Sequence, residues 1–281
     1  MSIESLYPYA GNHAIQNAVF ALGFHGIISD PILKRIEAAS LDSYGRDFDP
    51  FVPHHAVAFS FDMNKVGQAS PKLMPIGGFQ LQRQSSGVPQ IVTRSLTVSP
   101  SDCVLMVADY SRWATVKIEV AKYVRPILAA LGEDQQAINS IGLQYTDVFT
   151  WRADPAELNL IEVFAPNPPY LVPNVLSPDG PQLWHSHHGY FKDASNSSQY
   201  KQLDNINVSR VADVSGTHSI QILTSHKAQL STPMWQVGSE DNFDKIFEIF
   251  EALHDSNKEI LRSLLSSEVL RRIKFDAPKA E

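Results

Sequence analysis

The chain has 281 residues, of which 43 % are hydrophobic, 19 % charged and 10 % aromatic, close to the averages of globular proteins. That length suffices for a large core, as one α+β domain or as two halves, and the composition excludes a disordered or low-complexity scaffold. A formal net charge of -7 excludes a non-specific nucleic-acid surface, because such surfaces need excess Lys and Arg to displace counterions.

The N-terminal run Met1-Ser2-Ile3-Glu4-Ser5-Leu6 has neither the basic start nor the apolar stretch of a signal peptide, and no apolar run reaches the length of a membrane span. The single cysteine, Cys103, sits in an apolar run and allows no intrachain disulfide, so the expected location is cytoplasmic.

In chain order, residues 13–24 alternate as a first strand, and Asp30-Pro31 opens a short helix with Ile32, Leu33 and Ile36 on its apolar side. After a turn-rich stretch, strands are predicted at 54–63, 76–84, 90–98 and 103–108. Strands in succession without helices imply an antiparallel meander. Asp109 is placed as the cap of a long helix through Trp113, Val116, Val120, Val124, Ile127 and Leu131 to Gly132, kinked at Pro126.

A strand at 138–151 comes next, and then a proline-rich stretch. The expected division is 1–165 as an N-terminal α+β half, 166–182 as a connection or a loop crossing one face, and 183–281 as a C-terminal sheet with a long helix. In that last part strands are predicted at 183–192, 205–213 and 217–226 with Gly216 in a turn, a polar loop tip at 195–199, and a helix capped by Ser239. Its stripe runs through Phe243, Ile246, Phe250, Leu253, Ile260 and Leu264, and the nearby Arg262, Arg271, Arg272 and Lys274 read as cations in last helical turns. The fold class is α+β: antiparallel sheets covered by long amphipathic helices, in an order of elements that admits two similar sheet-plus-helix halves.

The densest group of potential ligands is Trp184-His185-Ser186-His187-His188-Gly189-Tyr190. On a strand, His185 and His187 share one face and are the candidate metal ligands, while His188 falls on the other face with Trp184, Ser186 and Tyr190. A third ligand must come from elsewhere, with Asp179, Asp193, His218 and His226 nearest in sequence. His54-His55 are strand neighbours that point apart, and His254 is expected at the edge of the last helix's buried stripe.

No Gly-x-Ser-x-Gly elbow is present, and Pro75-Ile76-Gly77-Gly78-Phe79 lacks the lysine of a nucleotide loop, so its glycines mark a bulge or a close approach. No catalytic residue and no cofactor site is assigned. Tyr110 and Trp113, together with Trp184, His188 and Tyr190, are candidates for a ligand or partner surface, with core packing as the competing reading for Tyr110 and Trp113.

The run Val104-Leu105-Met106-Val107 into Asp109-Tyr110-Ser111-Arg112-Trp113, a helix, and then Ile141-Gly142-Leu143-Gln144-Tyr145-Thr146-Asp147 resembles a sporadically distributed bacterial family of uncharacterised proteins. Members share a Tyr and Trp pair between strand and helix and a strand reading Arg-Ile-Gly-Leu-Arg-Tyr-x-Asn. Here Ser140, Gln144 and Asp147 replace its arginines and asparagine. The closing helix, Leu253-His254-Asp255 through Leu264-Leu265-Ser266, is similar as well.

The family's patchy distribution implies accessory genes such as antiphage defence or toxin and antitoxin modules. The leading expectation is therefore a non-enzymatic interaction or sensor subunit working through a protein partner encoded nearby, with no nucleic acid. Two rivals are a metal-dependent hydrolase using His185 and His187, and a small-ligand or lipid-binding protein with its pocket between sheet and helix.

Overall fold

The computed structural model describes residues 3–44, 47–48, 52–53, 77–193 and 199–275. Ten strands among them form one sheet: β1 (Leu6–Pro8), β2 (Ile15–Phe24), β3 (Val52–Pro53), β4 (Phe79–Gln84), β5 (Val92–Val98), β6 (Asp102–Val107), β7 (Ile138–Trp151), β8 (Trp184–Asp193), β9 (Tyr200–Ala212) and β10 (His218–Met234). The order is β3-β4-β5-β6-β2-β7-β10-β9-β8, with β1 beside the end of β7, and every pairing is antiparallel. The α-helices are α1 (Asp30–Tyr44), α2 (Trp113–Glu133), the single turns α3 (Leu160–Val163) and α4 (Pro173–Leu176) between β7 and β8, the long α5 (Glu240–Leu264) and α6 (Ser267–Arg272).

The first helix, expected to be short, runs 15 residues, because Ser40 and Tyr44 extend the buried side beyond Ile36. Asp109 does not cap α2. Arg112 occupies that position without a side-chain cap, and the Asp109 carboxylate is held by Arg83 at 2.8 Å and by the buried Arg94. Ser239 does cap α5, accepting from the Asn242 amide at 3.4 Å.

Gly216 has φ +81 in the turn from β9 to β10, whose amides from Ser215 and Thr217 are taken by Asp213. At Gly78, φ is +145 and a Cβ would stand 2.5 Å from the Val98 carbonyl oxygen, so the close approach read from the glycine pair is a backbone contact. The strand expected at 54–63, the pair His54-His55, the Pro75-Ile76 end of the glycine loop and most of the 195–199 loop tip lie outside the described residues.

Strand alternation gives the sheet two unlike faces. One face buries Phe20, Leu22, Leu96, Leu105, Leu143, Ile206 and Ile222 under the helices. Two apolar clusters form there. The first unites β2, β4 to β6, α1, α2 and the start of α5 through Phe250 and Leu253. The second unites the end of β7, β9 and β10, the 160–176 turns, α6 and the end of α5 through Ile260, Leu261 and Leu264. Leu171 and Val175 are buried in it, so the proline-rich stretch crosses one face of the sheet. No helix among the described residues is long and apolar enough to cross a membrane.

A candidate functional site: the polar seam under the long helix

Between the two apolar clusters, where α5 passes over β7, β9 and β10, inward-facing positions are polar. The stripe of α5 breaks at His254, Ser256 and Asn257, between Leu253 and Ile260, and the strands beneath answer with Tyr145, Asp147, Thr224, His226, Gln202 and Asp204. Buried polar groups hold a fold together only when each finds a partner. Most of these do.

The first group is built on motif residues. Trp113, at the start of α2, stacks on the His254 imidazole with centroids 4.2 Å apart and planes 9° from parallel, and it donates Nε1–H to Glu251 Oε2 at 2.6 Å. Lys117 closes on the other Glu251 oxygen. Burial works to raise the Glu251 carboxyl, but Lys117 and Trp113 outweigh it and hold it below its ordinary value. The buried Tyr145 hydroxyl lies 2.9 Å from His254 Nδ1.

Burial pushes His254 down to about 4, so its ring is neutral, and burial keeps the Tyr145 phenol protonated. The phenol and Nδ1 therefore share one neutral hydrogen bond, whose donor is set by the imidazole tautomer. Tyr110 meets the Tyr145 ring edge-on at 6.1 Å. Asp147, 2 % exposed, has Oδ2 without a partner among the described residues, and burial raises its carboxyl to about 7.

The second group centres on Asp204, which is fully buried. Its Oδ1 takes His226 Nδ1 at 2.7 Å and the Gln202 amide at 2.6 Å, and Lys192 Nζ lies 3.0 Å from Oδ2, near enough for an ion pair though off the line of a directed hydrogen bond. Burial raises the Asp204 carboxyl, yet the bonds from His226 and Gln202, with Lys192, bring it below the usual range. Lys192 also donates to Ser256 at 3.2 Å, and Thr224 donates to Asn257 Oδ1 at 2.6 Å, tying sheet to helix.

Of the sequence candidates, the structure joins Tyr110 and Trp113 through Tyr145 and His254. It sets Trp184, His188 and Tyr190 apart from them, on β8. There Trp184 packs at 6.2 Å from Phe164, His188 Nε2 lies 3.1 Å from Ser186 Oγ, and Tyr190 stacks on Tyr170 at 6.4 Å. His185 and His187 project from the opposite face of β8 and are exposed. Two of the third-ligand candidates cannot join them, since His218 and His226 face the helices, engaged with Arg210 at 3.2 Å and with Asp204. No group of three potential metal ligands occurs among the described residues.

Sequence reasoning missed Asp204, Gln202, Glu251 and Asn257. The signal was polar residues at inward-phased positions: Asn257 in line with Leu253 and Ile260 on α5, and Asp204 in line with Ile206 and Val208 on β9. Chemically, the seam holds an acid poised near neutrality, a neutral phenol and a neutral imidazole in one layer, but Tyr145, Asp204 and His226 are fully enclosed. A surface hollow of about 560 Å³ between α3 and α6, lined by Phe164, Arg262 and Leu270 among others, shares no residue with the seam. The chain matches no protein-family model and no curated protein.

Proposed function

We propose that the chain is a non-enzymatic interaction or sensor subunit that works through a protein partner held on the open face of its sheet. The bacterial accessory setting, with antiphage defence foremost, comes from the resemblance. The observation that carries the binding role is the character of that face. Its half-buried side chains include Gln80, Gln82, Thr97, Asn17, Gln144, Thr146, Gln221, Ser225, Asn205 and Asn207, interleaved with Val19, Val104, Met106 and Leu223. Amides, hydroxyls and apolar groups predominate there, with Lys227 the charge among them on β10, and that resembles the make-up of a protein interface, where charged residues are depleted at the core.

Both positions at which the resembled motif carries arginine, Gln144 and the buried Ser140, lie on this face, so two charges of that motif are missing from it in this sequence. The acid–base groups of the seam, Asp147, Asp204 and His226, are enclosed on the other side. We further infer that the molecule consists of two similar halves. Outward from the β2–β7 pair, each side runs through the last, middle and first of three consecutive strands, β6-β5-β4 on one side and β10-β9-β8 on the other, and each set leads into a long helix. On that reading the boundary falls just before β7.

The test is affinity purification of the tagged chain from its native host, beside a variant carrying Gln144→Arg and Thr146→Lys. A stoichiometric partner lost in the variant is the expected result. A wild-type chain that emerges alone, both at rest and under infection, would refute the reading.

A further inference from the structure

The two edges of the sheet are finished differently. At one end, among the described residues, β3 carries Pro53, which has no amide hydrogen to offer another strand. At the other end β8 offers ten residues with no proline, and among the described strands it is bordered by β9 alone. Its one lysine, Lys192, is turned inward to Asp204 and Ser256, so it does not guard the edge. Phe191 is 64 % exposed, and Leu183 just ahead is 55 % exposed.

We infer that β8 is the contact of a symmetric dimer in which two copies pair their β8 strands antiparallel about Gly189, continuing the sheet from one chain into the next. The occupant is a second copy because the strand complements itself. Residues opposite one another in an antiparallel pair share a face, and centring on Gly189 matches exposed with exposed along 185–193.

On the open face, the His185 imidazole then stands opposite the Asp193 carboxylate of the second copy, and His187 opposite its Phe191. On the helix face, His188 stands opposite Tyr190 of the second copy. The two glycines meet on the axis, where no side chain competes, since the neighbouring Asn205 amide already fills the space a Cβ would take, 2.8 Å from it. A chain of net charge -7 repels its copies over most of its surface, and this edge joins its only exposed carboxylate to an imidazole. The arrangement is isologous, so it closes at two copies.

The experiment is sedimentation equilibrium of the full chain across the micromolar range, for the wild type and three variants altered at exposed β8 positions, with far-UV circular dichroism to show that each remains folded. The expected wild-type mass is twice the 31.2 kDa of one chain. His185→Glu places two carboxylates opposite each other at both ends of the contact and Phe191→Lys adds a guarding charge, so each weakens the dimer about tenfold. His185→Glu with Asp193→Lys restores the affinity. A single-chain mass throughout, or a dimer indifferent to these substitutions, overturns the inference. A partner on the open face is a separate matter, because none of the three variants alters Gln144 or Thr146 at the centre of that face.

Discussion

Asp147 and His254 lie in the same seam and pull stability in opposite directions with pH. The Asp147 carboxyl is ordinarily near 3.8 and is raised to about 7, so the stability that comes from keeping it neutral is full below the lower value and is lost as pH rises through the upper one. His254 is ordinarily near 6.5 and is lowered to about 4, so its contribution is present above the upper value and is lost as pH falls through the lower. Asp147→Asn, which fixes the neutral shape, should raise the melting temperature at about pH 8 and leave it unchanged at about pH 4. His254→Asn should instead flatten the loss on the acid side. Urea titrations at several pH values distinguish the two. At Thr224, replacement by Val leaves the buried Asn257 oxygen without its donor and should destabilise by about 1 to 3 kcal/mol, whereas adding Asn257→Leu should recover most of that.

α2 ends in close contact with the approach to α5. A Cβ on Gly132 would stand 2.8 Å from the Gly238 nitrogen and 3.0 Å from its Cα, so backbone rather than a movable side chain blocks it. Gly132→Ala should therefore cost about 1 to 3 kcal/mol, measured by denaturant midpoint, although alanine favours helix elsewhere. Element by element, the sequence is most readable where one period runs unbroken. The strand at 138–151 is legible to the residue because its alternation is long and bounded at both ends. β10 extends to Met234, and its end past 226 is hard to read because Gln229, Ser231 and Thr232 carry no apolar phase and the pairing with β7 shifts register between Gln229 and Met234. Asp109 reads as a cap because a cap and an ion-pair partner look alike until Arg83 and Arg94, from separate strands, arrive beside it. The seam is illegible for the same reason: its bonds join residues as far apart as 113 with 251 and 145 with 254.

At the scale of the whole molecule, the two apolar clusters share one sheet and one helix, since Phe250 belongs to the first and Leu264 to the second. Unfolding either strips α5 from the other. Phe250→Ala and Leu264→Ala should each lower a single transition by about 2 to 5 kcal/mol, with circular dichroism and tryptophan fluorescence changing together. Two separate transitions would show that the clusters are independent.

The break in the α5 stripe has a mechanical consequence. A helix lying on an apolar bed can settle one turn forward or back at modest loss, because methyl groups accept one another as neighbours with little discrimination. The seam removes that freedom. A slip of one turn, about 5.4 Å, would carry His254 off the Tyr145 hydroxyl, Asn257 off Thr224 and Ser256 off Lys192 together, stranding each in a dry layer. The polar residues work as a detent, fixing where the helix stops along its own axis, which the apolar residues on either side leave undetermined.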